Sequence, residues 1–470
     1  MVSPITGTGA AHKTHAPIAA PESGATRPAF RWYVLALLGV GLVTGFGARA
    51  LAGASAGVFD VQGVSAGDTA WVLTAAALVM LMTPAVGFFY GGMVRSKNVV
   101  SVIKQSLLIL SIVSLQWVVL GYTLVFGAGA GGLIGGLEFF GLRGVGYAPN
   151  PAYAPTIPHL AYMLFQGMFA IITPALIIGA FAERIRFRTL VIFVLAWTTL
   201  VYDPIAHWVW GASGWLHALG ALDFAGGTVV HISAGFAGLA AAIVVGRRLE
   251  WRRGQPLEAN NVPLVLLGAA LLWFGWFGFN AGSALAASPL AVSAFVATNT
   301  AAAAAALTWM ALSWGETGKP SAMATATGAV CGLVAITPAS GYVGPMGSMA
   351  IGIIAGVVTY LMLLLRAKKT RIDDTLDVWA AHGMGGVTGA LLTGVFAEKA
   401  INGAGANGLL FGNPAQLGVQ ALAVVVTVTY AFAATYLLLK LLARWGLRVS
   451  SKEEIQGLDR AVHGEEGYRL

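Results

Sequence analysis

The sequence predicts an all-α integral membrane protein with eleven transmembrane helices in a five-plus-five inverted repeat, N-terminus outside and C-terminus inside. Three observations predict it. Of 470 residues, 57% are hydrophobic and only 10% are Asp, Glu, Lys or Arg, against roughly 25% charged in soluble proteins. Apolar runs long enough to cross about 30 Å of hydrocarbon as helices recur between short polar breaks. The basic residues gather in every second break. This composition excludes a disordered chain and a nucleic-acid-binding module. One cysteine, Cys331, excludes an internal disulfide and a thiolate metal cluster.

The elements follow in order. Residues 1–56 are a leader: 1–30 are polar and rich in Ala, Pro, Thr and Ser, then Arg27 and Arg31 precede a short apolar run at 32–46 and the small residues Ala54-Ser55-Ala56. A basic flank, a short apolar core and an A-x-A-like site describe a secretory signal peptide; a retained first anchor is the alternative. Residues 57–444 form the membrane domain. Its spans lie near 70–91, 105–127, 160–181, 189–210, 226–246, 263–283, 290–312, 323–340, 346–366, 378–397 and 416–443. Run length decides for helices, because barrel strands would alternate apolar and polar residues. Residues 445–470 are too polar to span and form a cytoplasmic tail.

The charges choose the orientation. Arg95, Lys97 and Lys104 follow span one, Arg184, Arg186 and Arg188 span three, and Arg247, Arg248, Arg252 and Arg253 span five. Lys319 follows span seven, and Arg366, Lys368, Lys369 and Arg371 close span nine. With six basic residues from Lys440 to Arg469, one side holds 21; the opposite breaks hold only Arg143 and Lys399. The positive side is cytoplasmic. The net charge of +8 is thus topology rather than a nucleic-acid patch.

An odd span count invites an inverted repeat with one helix left over. Span five contains His231-Ile-Ser-Ala-Gly235-Phe-Ala-Gly238 and span ten His382-Gly-Met-Gly-Gly386-Val-Thr-Gly389. Both fit H-x-x-x-G-x-x-G, and each closes one five-span half. Glycines on the histidine's own face let another helix approach closely, so two imidazoles meet near mid-membrane. Intramembrane ionisable residues are functional candidates by default, and a facing imidazole pair can relay a proton or guide a small polar molecule. A helix-to-helix hydrogen bond is the bland reading of either histidine alone.

Asp223 is the only acidic residue in the break before span five. It reads first as a cap on that helix, favoured by the dipole, whose field still helps a nearby cation. Trp208, Trp210 and Trp215 cluster where span four emerges, and Phe165, Phe169, Trp276 and Phe279 lie in spans three and six. An interfacial belt with core packing and a cation–π cage both fit these aromatics. Asp203 and His207 flank Pro204 and read as locally hydrogen-bonded.

Five strings carry a family resemblance: Phe88-Phe-Tyr-Gly-Gly-Met-Val-Arg-Ser-Lys-Asn98, Gly179-Ala-Phe-Ala-Glu-Arg-Ile-Arg-Phe187, Asp223-Phe-Ala-Gly-Gly-Thr-Val-Val-His231, Gly275-Trp-Phe-Gly-Phe-Asn-Ala-Gly-Ser283 and Asp377-Val-Trp-Ala-Ala-His-Gly383. From about residue 68 to the C-terminus the chain resembles the ammonium transporter (Amt/Mep/Rh) family, its bacterial Amt branch in particular. The resemblance implies a homotrimer with one pore per subunit and electrogenic ammonium uptake across a bacterial inner membrane, with no cofactor. Carried over residue by residue, Phe169, Trp210 and Ser283 resemble the outer ammonium site and Asp223 its aspartate. Phe169 and Phe279 resemble the stacked gate, His231 and His382 the twin histidines, and Trp276 a pore-lining tryptophan. The tail pattern Gly457-Leu-Asp-x-x-x-His-Gly-Glu-x-x-Tyr468 resembles the family's tail, which bears on gating by a PII-type nitrogen regulator; Asp373, Asp374 and Asp377 lie where they could position it. Asp203, where an apolar residue is expected, departs from the pattern, as does the long polar leader.

Magnitudes favour splitting the substrate. A small cation in an apolar pore faces several to more than 10 kcal/mol of desolvation, whereas deprotonating a lysine-like ammonium at neutral pH costs roughly 4–5 kcal/mol. Deprotonation also rejects potassium. An ammonium sensor with the same fold is the rival reading, disfavoured by a short tail without an added signalling domain. A membrane enzyme would need a nucleophile, metal set or cofactor fingerprint; there is no GxSxG, HExxH or P-loop at a plausible location, and the Gly-rich stretch at 127–136 lacks a phosphate-loop lysine.

Overall fold

The computed structural model describes residues 63–129, 131–254 and 258–468, together with 37, 39–41 and 44. Apart from those last few helical positions, the predicted leader and signal peptide lie outside the described residues. They fall in a separate unit, Met1–Gly57, and everything below concerns Val58–Leu470.

The helices run α1 (Ala66–Met93), α2 (Ser96–Phe126), α3 (His159–Phe181), α4 (Phe187–Ala218, interrupted at 211–214), α5 (Gly227–Val245), α6 (Val262–Ala284) and α7 (Pro289–Thr317). Then come α8 (Ala322–Ile336), α9 (Pro345–Lys369), α10 (Trp379–Met384 continued by Gly385–Phe396) and α11 (Pro414–Trp445). Among the described residues nine of these are long and apolar enough to cross a membrane, against eleven predicted spans. The two that fall short have physical reasons. α8 has only 15 residues, because Pro338 follows it and has no N–H to extend the helical ladder; the Pro338 carbonyl accepts Phe224 N at 3.1 Å. α10 carries His382 and a run of glycines that lower its mean hydropathy. The all-α expectation also missed a small antiparallel hairpin ahead of α3, β1 (Pro149–Asn150) with β2 (Ala154–Pro158).

Small residues dictate the packing. Gly268, Gly275, Gly278 and Gly282 form one stripe on α6, and a Cβ on any of them would lie within 2.3–2.6 Å of an atom of α1. The two backbones therefore touch, as small-residue interfaces in membranes allow. Proline creates a second device. Pro204 has no N–H for the Leu200 carbonyl; the helix widens into a π turn at Thr198–Tyr202, and Tyr430 of α11 donates to that freed carbonyl at 2.7 Å.

One end of the bundle collects the basic breaks. Glu183 accepts from Arg95 N at 2.7 Å and Arg95 Nε at 2.9 Å, and pairs with Arg248 at 3.3 Å. Arg248 in turn holds Asp373 through Nη2 at 2.7 Å and Nε at 3.0 Å. Glu316 at the end of α7 pairs with Lys368 at the end of α9 at 2.6 Å. The tail joins the same end: Asp459 accepts Ser101 N at 2.7 Å, Asn98 accepts Leu458 N at 2.8 Å, and Arg448 pairs with Glu454 at 2.6 Å. Asp373, Asp374 and Asp377 accept no hydrogen bond from the tail among the described residues; their partners are Arg248, Trp379 and Arg366.

This cluster makes the fold acid-sensitive. Burial alone would raise the Glu183 carboxyl, but Arg248 and Arg95 outweigh it and hold it below its ordinary value. Asp373 is likewise lowered: its burial is outweighed by Arg248 and Arg184. Carboxylates depressed in the fold contribute stability above their unfolded pKa and lose it as pH falls through the folded one. The melting temperature of the detergent-solubilised protein is therefore expected to fall below about pH 4, and Glu183→Gln should flatten that decline.

Candidate functional site

The N-terminus of α5 is built around one carboxylate. The first N–H groups of a helix lack internal partners. Asp223 Oδ1 accepts Gly226 N at 2.8 Å and Gly227 N at 2.6 Å, while Oδ2 accepts Thr228 N at 2.7 Å, Val229 N at 3.3 Å and the Thr228 hydroxyl. Gly226 takes the left-handed conformation, φ 116°, and a π turn follows at Gly227–Ile232 with His231 inside it. α10 repeats the device. Asp374 Oδ2 accepts Trp379 N at 2.8 Å, Asp377 stands at φ 56°, and the π turn Trp379–Met384 carries His382.

Each aspartate precedes its histidine by eight residues and a left-handed residue by three. The fuller pattern D-x7-H-x3-G-x2-G occurs in both halves. That spacing was the available sign of Asp374; the π turns had none, since they share the apolar composition of ordinary helix.

The glycines bring the two histidines together. A Cβ on Gly235 would sit 2.1 Å from Gly383 N, and one on Gly386 would sit 3.1 Å from His231 Cβ. His231 Nδ1 and His382 Nδ1 are 3.3 Å apart, their rings stacked at 5.4 Å and 21°. One ring must donate at Nδ1 and the other accept, so each carries the opposite tautomer. His231 also stacks on Trp276 at 5.3 Å and Phe279 at 5.8 Å. Trp276 is fixed by a 2.9 Å bond from Nε1 to Thr337. His231 Nε2 is buried without a protein partner.

These residues lie between two open cavities. The first vestibule, about 510 Å³, is lined by Phe169, Trp210, Asp223 and Ser283, with Gln166 and His217. The second, about 340 Å³, is lined by Tyr90, Thr327, Asp377 and His382. Between them lies a void of only about 10 Å³ bounded by His231, His382, Trp276 and Phe279, room for about one water-sized molecule. Phe169 lines the first vestibule and Phe279 bounds this void, their ring centroids 4.5 Å apart.

At the first vestibule, Phe169 meets Trp210 edge-on at 5.7 Å and 81°. Trp210 Nε1 donates to the Asp223 carbonyl at 3.0 Å, and Ser283 Oγ donates to the Phe279 carbonyl at 2.9 Å. The Ser283 oxygen keeps acceptor capacity, and the rings present π faces, so a small cation with N–H groups fits the chemistry. Asp203 and His207 stand apart, bonded to Gln116 at 2.9 Å and to the Val125 carbonyl at 2.7 Å.

The Ammonium Transporter Family model matches residues 70–468. This chain belongs to that family. The Bacillus subtilis ammonium transporter is 48% identical over 404 residues, 86% of this chain and 98% of that protein. Among solved structures, Saccharomyces cerevisiae Mep2 is similar with TM-score 0.78 and 35% identity over 84% of this chain and 92% of that one. A structure described as a sensor Amt protein has TM-score 0.78 and 34% identity over 84% of this chain and 98% of that one. The transporter is thus a multi-pass membrane protein whose function is ammonium transport and whose substrate is ammonium or ammonia.

Proposed function

We propose that the transporter binds NH4+ at Phe169, Trp210 and Ser283, under the field of Asp223, and removes its proton. Ammonia then passes the Phe169–Phe279 gate and the Trp276-lined void, while the proton crosses separately through His231 and His382, making uptake electrogenic. The single observation that carries this reading is the 3.3 Å Nδ1–Nδ1 contact inside a nearly closed, largely apolar void. With one added proton the charged ring donates from Nδ1 to its neutral partner, whereas a second would set two Nδ1–H donors face to face, so the pair carries one proton at a time. The free His231 Nε2 supplies a position for the ammonia nitrogen or a water.

The same reading places eleven crossings in a five-plus-five inverted repeat. Its support is the contact of α1 with α6, of α5 with α10, and the repeated D-x7-H device. The basic end is cytoplasmic by the charge rule, leaving the N-terminus outside across a bacterial inner membrane. The membrane domain, 57–444, assembles as a homotrimer after loss of the 1–56 leader, and the 445–470 tail is the docking face for a PII-type regulator. Likeness to the sensor Amt structure keeps a signalling role as the second reading. Currents from purified protein on a supported membrane separate them: ammonium and methylammonium should evoke current and potassium none. A sensor without flux gives no current with any of the three.

A further inference from the structure

The second vestibule contains a carboxylate that takes no part in the helix cap and pairs with Arg366. In α5 one residue, Asp223, caps the helix, and the left-handed position three residues later is Gly226. In α10 Asp374 performs the capping, yet the corresponding left-handed position is Asp377, at φ 56°. Asp tolerates this conformation better than most side chains do, but glycine adopts it without steric cost. The side chain does not sink into the core. It lines the cavity that His382 also lines, and keeps 24% of its surface exposed while Oδ1 bonds Arg366. Asp377 lies just ahead of the π turn that carries His382, five residues before it, and the two line the same cavity.

We propose that Asp377 is the proton port of the second vestibule, taking the proton that leaves His382 and returning it to ammonia. The inference rests on the twin-histidine reading above. The protonated His382 ring gives its proton, directly or through one water, to the Asp377 carboxylate, leaving neutral imidazole and a carboxylic acid. The acid O–H bond then breaks toward the nitrogen lone pair of NH3; NH4+ leaves and the carboxylate is restored. No electrons are exchanged and no co-reactant is needed.

The surroundings suit this task. Burial pushes the Asp377 carboxyl up to about 7; Arg366 pulls against it, Asp374 adds to the rise, and Arg248 lowers it. The other titratable groups facing it are His382 on its own element, Tyr90 from α1 and Cys331 from α8. A base titrating near the working pH exchanges protons efficiently in both directions.

The test uses full-length protein in liposomes, reading ammonium-evoked current and, separately, ammonia permeation by an internal pH dye. Asp377→Asn is expected to cut current about tenfold with ammonia permeation intact. It should also remove the dependence of current on pH at the second-vestibule side between about 6 and 8. Asp377→Glu should restore both. Asp377→Gly copies Gly226, relieves the backbone, and should fold while losing current as Asn does. Wild-type current and pH profile in Asn and Gly overturn the proposal, as does a parallel loss of ammonia permeation, which marks a structural role. The double leucine variant of His231 and His382 separates the two readings. If it keeps full current, the relay itself is wrong; if it is silent while Asp377→Asn is normal, only the port is wrong.

Discussion

Replacing His231 and His382 together with leucine is expected to abolish ammonium-evoked current while ammonia still permeates. The histidines are each other's hydrogen-bond partner at 3.3 Å, and removing both partners of a bond to an isosteric apolar pair is close to neutral for stability. The double variant should therefore purify and melt like the parent. The void at this point, about 10 Å³, excludes a hydrated cation. With the relay gone, charge crosses only as desolvated NH4+, at several to more than 10 kcal/mol. The parent faces roughly 4–5 kcal/mol for deprotonation. A difference of about 3 kcal/mol or more is a loss of at least about 100-fold in rate, below detection on a supported membrane. Full retention of current in the double variant would sink the relay.

Much of this was legible because membrane burial leaves few choices. Apolar run length set the helices, and the pairing of Glu183 with Arg95 and of Arg248 with Asp373 gathers the very breaks that carry the positive charge. The histidine motif was readable because glycine at i+4 has one physical use there, the close approach that Gly235 makes to Gly383. Other features left no mark. The π turns around His231 and His382 depend on how a distant carboxylate satisfies the helix start, and Asp223 and Asp374 look alike only once their bonds are seen. Charge alone groups Asp377 with Asp373 and Asp374 as a partner of the tail and does not say that its side chain lines a cavity. The short α8 shows the limit of hydropathy: the run continues to residue 340, but Pro338 ends the helix at Ile336.

Asp223 is where stability and transport separate, and two substitutions should do it. Asp223→Ala leaves the N–H groups of Gly226, Gly227, Thr228 and Val229 without their acceptor in a site only 6% exposed. Loss of a cap costs about 0.5–2 kcal/mol, and buried unsatisfied groups about 1–3 kcal/mol each. Relaxation shares these terms, so roughly 3–5 kcal/mol is expected, seen as a sharply lower melting temperature and poor recovery of folded protein. Asp223→Asn keeps one acceptor oxygen and the shape but removes the charge. It should fold with a modest loss of stability. If the carboxylate also draws NH4+ toward Trp210 and Ser283, the ammonium concentration giving half-maximal current rises about tenfold, equivalent to about 1.4 kcal/mol. That increase should shrink as ionic strength is raised, because an exposed mouth is screened by salt. An unchanged half-saturation in Asp223→Asn would assign Asp223 to the cap alone, leaving recruitment to the aromatic rings and the Ser283 hydroxyl.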